Sequence, residues 1–221
     1  MGTVADRKTW TGATGLPTRM LLVRHGQTEY SVQRRYSGRG DVPLTELGHW
    51  QAESVAGRIS DMEDADDIVA VVCSPLLRAR HTAEAIAEPL GLPITIYEGL
   101  IETDFGKWEG MTFSEAADLD PKFHRKWLSD ASVKTPGGES FEQVYQRVAD
   151  VCDLMRQTYA GKPVVVVSHV TPIKTLLRLA LDAGPSLLYR LHLDLAALSI
   201  ADFYPDGNAS VSLINDTSHL S

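Results

Sequence analysis

Two histidines and two arginines stand directly after, or one helical turn beyond, short apolar runs, and these are the residues of the chain best suited to chemistry. Arg24-His25-Gly26 follows the run 20–23, Ser168-His169 follows the run 164–167, and Arg78 lies one turn beyond Ser74-Pro75 and the run 68–73. Guanidinium groups bind phosphate oxygens in pairs, and free N–H groups at helix starts add a favourable dipole. One imidazole can attack phosphorus while a second, protonated, stabilises charge on the equatorial oxygens. The departing alkoxide also needs a proton. Glu102, shortly after a third apolar run at 94–97, is the carboxyl in position, and reduced solvation there suits a donor. Asp104 and Glu109 are its rivals in the same stretch. The set reads as a phosphate pocket with a nucleophile, a charge stabiliser and an acid.

For these groups to meet, the apolar runs must be neighbours in one sheet, with their carboxyl ends together. Short runs bounded by turn residues or charge read as strands buried on both faces. Helical periodicity fills the gaps between them. Thr45 caps a helix to about residue 59, and Ser74-Pro75 supplies a cap and first residue for one to about 90. Ser140 with Gln143 forms a capping box for a helix to about 159, and Thr171-Pro172 repeats the cap-then-proline signal for one to about 181. The alternation predicts a three-layer α/β/α fold with a mostly parallel central sheet, whose ligands bind beyond the carboxyl ends of its strands. Residues 198–204 and 210–214, around Pro-Asp-Gly-Asn, read as a closing hairpin. Residues 103–139 break the alternation, and their aromatics (Phe105, Trp108, Phe113, Phe123, Trp127) suggest an inserted helical lid with its own small core. Residues 1–18 lack periodicity and read as a disordered tail or linker remnant, which leaves one domain over 19–221.

The chain carries 21 Lys and Arg against 29 Asp and Glu, a formal net charge of −8. That balance argues against nucleic acid or a membrane as partner, so any anion site must be local. No stretch is long and apolar enough to span a membrane, and the first residues lack the apolar core of a secretion signal, so a cytoplasmic location is expected. Cys73 and Cys152 are far apart and form no C-x-x-C pair, which suggests core thiols rather than a disulfide or zinc site. Cys73 precedes Arg78 much as in cysteine-dependent phosphatases, which use Cys-x5-Arg. Here the spacing is one residue short and Pro75 removes an N–H donor, so Cys73 reads as a buried strand thiol. No carboxylate cluster has the spacing of a divalent-metal site, and no cofactor is expected.

Several ordered motifs resemble the histidine phosphatase superfamily, the phosphoglycerate-mutase-like group, from about residue 19 to 215. They are Arg24-His25-Gly26-Gln27-Thr28, Tyr36-Ser-Gly-Arg-Gly-Asp41, Pro43-Leu44-Thr45-Glu-Leu-Gly48, Ser74-Pro75-Leu76-x-Arg78-Ala79, Leu100-x-Glu102, Gly106-x-Trp108-Glu109-Gly110, Pro136-Gly-Gly-Glu-Ser140 and Ser168-His169. Glu102-Thr-Asp-Phe-Gly106, Ser168-His-Val-Thr-Pro172 and Tyr189-Arg-Leu-His-Leu-Asp194 look most like the acid-phosphatase domain that actinobacteria carry behind a ribonuclease H domain, a branch similar to α-ribazole phosphatases. The resemblance implies a phosphomonoesterase with His25 as the nucleophile that becomes phosphohistidine. It implies that Arg24, Arg78 and His169 hold the phosphoryl group, that Glu102 serves as proton donor and then as base, and that no metal is needed. The loop 34–41 is expected to choose the substrate, with Arg35, Ser37 and Gly38 in contact with it and Arg34 and Arg39 either facing it or solvated. Two positions depart from the pattern. Ser31 stands where the family often places a phosphate-binding Asn, and Val170 stands where Gly usually follows the second histidine.

The implied ligand is a small phosphorylated metabolite: α-ribazole phosphate, a sugar phosphate or a phosphoglycerate derivative. Fusion to, or origin from, a ribonuclease H-containing protein is also implied; oligomeric state is open, with a homodimer among the options. Two other readings compete. Phosphoglycerate mutases of this group carry Glu-Arg-His-Tyr-Gly and a longer basic insertion where this chain has Glu102-Thr-Asp-Phe-Gly106. A non-catalytic phospho-ligand binder would be expected to lose His25 or Glu102, and both are present.

Overall fold

Strand β1 (Thr18–Arg24) alternates its side chains between two cores. Met20 and Leu22 enter one and Leu21 and Val23 the other, because successive side chains of a strand point to opposite faces. The same alternation runs through β2 (Ala70–Cys73) and β4 (Pro163–Ser168), and the side chains on both faces are buried, so the sheet must be covered on each side. Helices α2 (Glu46–Ser60) and α3 (Leu77–Leu90) cover one face through Val55, Ile59, Ala79, Ala83 and Ile86. Helices α6 (Phe141–Thr158) and α7 (Val170–Ala180) cover the other through Val144, Val148, Met155, Ile173 and Leu176. The computed structural model describes residues 12–221, and among these the fold is the expected α/β/α sandwich.

With β3 (Ile94–Ile96), β5 (Leu198–Phe203) and β6 (Ala209–Asp216), the sheet has six strands in the order β3-β2-β4-β1-β5-β6. β1, β2, β3 and β4 are parallel, β5 runs antiparallel to β1, and the β5–β6 hairpin closes one edge. Register does the positioning. Arg24 pairs with Ser168 and Cys73 with Val167, so the residues just past these three strand ends, His25, His169 and Ser74, emerge side by side.

A third core is aromatic. Tyr36 from the loop after α1 (Glu29–Val32) packs with Phe105, Trp108, Trp127, Phe141 and Leu188. It gathers α4 (Phe113–Leu119) and α5 (Pro121–Trp127), the helices of the lid expected at 103–139, together with α8 (Leu187–Arg190), which lies outside that range. Glu109 ties the lid to the opposite loop, its carboxylate accepting from the Gly38, Arg39 and Gly40 N–H groups at 2.9–3.2 Å.

Helix starts differ from expectation at two places. Thr45 caps α2 and the Ser140–Gln143 box caps α6 as anticipated. Ser74-Pro75 does not begin α3, which starts at Leu77, where the free N–H is capped from a distance by Asp41 Oδ1 at 2.6 Å. Thr171 is not the cap of α7 but lies in its first turn, where its N–H donates to Glu102 Oε2 at 3.3 Å. Both helix starts are thus held by acids from other segments, an arrangement the dipole favours. At the amino end, Thr18 already pairs with Phe203 in β1, and Thr14 bonds Asp206, so the structured chain begins before residue 19; residues 1–11 of the expected tail lie outside the described residues. Among the described residues, no helix is long and apolar enough to cross a membrane.

Candidate active site

His25 leaves β1 through a backbone that runs against α2. A Cβ on Gly26 would sit 2.3 Å from Gly48 O, and one on Gly48 would sit 2.1 Å from Gln27 O, so two glycines let the strand end and helix start touch. The His25 ring is buried, and its Nδ1 is 2.7 Å from Gly26 O. A carbonyl oxygen only accepts, so Nδ1 carries the proton and Nε2 holds the lone pair. Burial first, then the cations Arg78 and Arg24, push His25 well below the usual histidine range, with the Gly26 bond opposing them. Burial and the two cations thus favour the neutral ring.

His169 stands beside it, with ring centroids 5.1 Å apart. Its Nε2 is 2.7 Å from Ser74 Oγ, and its buried Nδ1 has no partner in the protein. Burial, Arg78, His25 and Arg24 hold it too well below the usual range. Burial and the two guanidiniums thus oppose the protonated second imidazole expected from the sequence.

The two arginines are spent differently. Arg24 gives Nη1 to Leu193 O at 2.6 Å and leaves a buried Nε without a partner; burial lowers it to about 10, with Glu102 and Asp194 opposing, so it keeps its charge at neutral pH. Arg78 is fully buried in the first turn of α3 and clamps the loop ahead of it, donating to Ser37 O, Gly38 O and Gly40 O at 2.8–3.1 Å, with Nε unpartnered. Its burial lowers it as well, with Glu102 the strongest opposing charge. Arg24 Nε, Arg78 Nε, His169 Nδ1 and Ser37 Oγ are buried without a protein partner; Arg24 and Ser37 line the cavity beside Glu102, whereas Arg78 and His169 stand behind its wall.

Glu102 is buried, with Oε1 accepting from the Thr103 N–H and hydroxyl and Oε2 from the Thr171 N–H. Its backbone is fixed by Arg147, which donates to Gly99 O, Ile101 O and Glu102 O and pairs with Glu139. The rival acids are occupied elsewhere: Glu109 holds the 38–40 loop, and Asp104 Oδ1 accepts from the Gly106 N–H. A cavity of about 220 Å³ joins Arg24, His25, Glu102, Ser37 and Arg35 to an apolar wall of Phe105, Phe113, Trp127, Phe141 and Leu188. Of the lid aromatics, Phe105 and Trp127 belong both to the third core and to the cavity wall.

The remaining loop residues divide. Ser37 and Arg35 line the cavity, Arg35 also reaching Gly110 O and lying 3.6 Å from Glu115. Gly38 is absent from the wall: its N–H serves Glu109 and its carbonyl serves Arg78, so it supports the loop rather than facing the cavity. Arg34 is exposed, with φ of 54°, and Arg39 pairs with Glu139 at 3.0 Å. Ser31 lines the cavity, but its hydroxyl donates to Thr28 O and accepts from the Thr28 N–H, completing the capping box of α1. Val170 begins α7 with helical backbone, a conformation any residue adopts, so the usual glycine is not required. Cys73 is fully buried in β2, and burial raises its thiol to about 12.

Three contributors were missed from sequence: Ser74 as the partner of His169, Arg147 as the anchor of Glu102, and Lys174, which lines the cavity from the second turn of α7. Lys174 lies three residues after Thr171, on the same face of the helix start.

Known proteins resemble this chain over most of its length. The family described as "Histidine phosphatase superfamily (branch 1)" matches residues 20–217. The chain is 57% identical over 211 residues to the Bifunctional protein Rv2228c of Mycobacterium tuberculosis, covering 96% of this chain and 57% of that protein, so it spans little more than half the length of that relative. It is 32% identical over 203 residues to Phosphoserine phosphatase 1 of Hydrogenobacter thermophilus, covering 91% of this chain and 94% of that one. The solved structure of a putative α-ribazole-5'-P phosphatase from Escherichia coli matches with a TM-score of 0.80 at 26% identity, covering 90% of this chain and 97% of that one. The chain belongs to the histidine phosphatase superfamily, and its domain is a phosphatase of that superfamily.

Proposed function

We propose that this domain is a metal-independent phosphomonoesterase that works through a phosphohistidine on His25 and acts on a small phosphorylated metabolite. The observation that carries the reading is the hydrogen bond from His25 Nδ1 to Gly26 O, which leaves the Nε2 lone pair available beside His169 and the two arginines. In the first step Nε2 attacks phosphorus, the bond from phosphorus to the alkoxide breaks, and the Glu102 proton passes to the leaving oxygen. In the second step a water attacks phosphorus, Glu102 takes its proton, and the P–N bond breaks with its electron pair returning to Nε2. Arg24, Arg78 and the His169 Nδ1–H face the charge that grows on the equatorial oxygens, and being preset they need little reorganisation.

Phosphoserine and α-ribazole-5'-phosphate, named for two of the relatives, bracket the leaving group between a small acidic one and a bulky aromatic one. The cavity offers an apolar wall for the second and cations for the first. The test is hydrolysis of an aryl phosphate in the presence of a metal chelator, wild type against His25→Ala. Turnover resistant to chelator and lowered at least about 10³-fold in the variant is expected; undiminished turnover in the variant overturns the reading.

A further inference from the structure

Lys174 faces the cavity with little of its bonding capacity used. Among the described residues it makes no ion pair, and its Nζ donates once, to Leu188 O at 2.8 Å, leaving two N–H groups to spare at the cavity wall. A part-buried ammonium held only by a neutral carbonyl is poorly compensated, and burial lowers its pKa, with Glu102 opposing. Its position is specific. Thr171, one turn earlier on the same face of α7, holds Glu102 Oε2, so Lys174 stands next to the place where the leaving group must lie. The charge balance points the same way. Arg24, Arg78 and Lys174 surround Glu102, while the other cation on the wall, Arg35, already lies near Glu115. With the arginines engaged by a phosphoryl group, the Lys174 ammonium on the same cavity wall is left for a second anionic group.

We infer that Lys174 is a specificity-determining residue that binds a carboxylate on the leaving group, so that the substrate class is the phosphate ester of a hydroxy acid. The inference rests on the phosphatase reading above and narrows it. It separates acidic leaving groups from neutral ones of the same size, because a polar site built to pair with a group rejects the analogue that lacks it.

A matched pair tests it: 3-phosphoglycerate and glycerol 3-phosphate differ by a carboxylate in place of a hydroxymethyl group. Wild type is expected to favour 3-phosphoglycerate at least about tenfold in kcat/KM, chiefly through KM. Lys174→Met, which keeps the apolar stem, is expected to bring that ratio close to one, and Lys174→Arg to restore much of it. A wild-type ratio near one, or a ratio unchanged in Lys174→Met, overturns the inference, as does an equal loss on both substrates, which would make Lys174 only a strap between α7 and α8. Should the variants fail to fold, inhibition of wild-type aryl phosphate hydrolysis by glycerate and by glycerol decides it: glycerate at least about tenfold stronger supports the carboxylate site, and equal inhibition overturns it. Absence of aryl phosphate hydrolysis in wild type would instead be a failure of the phosphatase reading.

Discussion

His169 Nε2 lies 2.7 Å from Ser74 Oγ, a bond between the ends of two adjacent strands. Ser74 Oγ also accepts from the Leu76 N–H; with the hydroxyl proton given to Nε2, the His169 proton stands on Nδ1, which has no partner in the protein. Ser74→Ala is expected to lower kcat about 10- to 100-fold with little change in KM, since the loss falls on a charge that develops in the transition state. Steady-state kinetics on an aryl phosphate check it, and a kcat within twofold of wild type contradicts it.

The neutral state of both rings is separately testable. Burial and the neighbouring cations hold His25 and His169 well below the usual histidine value of 6.5. Their NMR signals, assigned by His25→Gln and His169→Gln, are expected to show no titration between about pH 7.5 and 5.5. A midpoint near 6.5 for either ring would show that the site accepts a proton as solvent does.

Close approach at Gly26 makes a stability prediction. A methyl there would lie 2.3 Å from Gly48 O, which is backbone and cannot swing away. Gly26→Ala is expected to cost about 2–3 kcal/mol and several degrees of Tm, and to displace His25 enough to remove most activity. A thermal melt unchanged from wild type would mean that β1 and α2 are not so tightly apposed.

Glu139 supplies a pH dependence. Burial pushes its carboxyl up, but hydrogen bonds from Arg147 and the Asp104 N–H outweigh burial and hold it below the ordinary value of 4.5. A carboxyl lowered in the folded state stabilises above its unfolded value and loses that stability as pH falls through its folded value. Glu139→Gln is expected to be less stable than wild type by about 1–2 kcal/mol at pH 7, with the gap closing below pH ~4.5. Urea melts at several pH values measure it, and a gap that persists unchanged at pH 3 contradicts it.

The parts of the site that were legible in the sequence are those fixed by neighbours in the chain. An apolar run followed by Arg24-His25 or Ser168-His169 sets a strand end, and parallel register between Arg24 and Ser168 brings the ends together. What was not legible depends on distant segments. Ser74 and Thr171 carry strong local cap signals, yet Asp41 and Glu102 bond those helix starts, and Ser74 is thereby left to hold His169. Arg78 was expected to hold phosphate and also clamps the 37–40 loop, because three carbonyls of that loop converge on it. Ser31, expected as a substitute phosphate ligand, lines the cavity and also completes a capping box with Thr28, which was not anticipated from the sequence. Lys174 reads in the sequence as an ordinary charged position on an amphipathic helix, and only the fold shows that its neighbours include Glu102 and Arg24.

The central claim is that His25 Nε2 becomes covalently phosphorylated. Rapid-quench labelling with a ³²P-aryl phosphate, followed by peptide mass spectrometry, tests it most directly. The account predicts up to one label per chain on His25, stable in alkali and labile in acid, and none in His25→Ala. Label on a serine or carboxylate, label retained in His25→Ala, or turnover with no label at any quench time would contradict it.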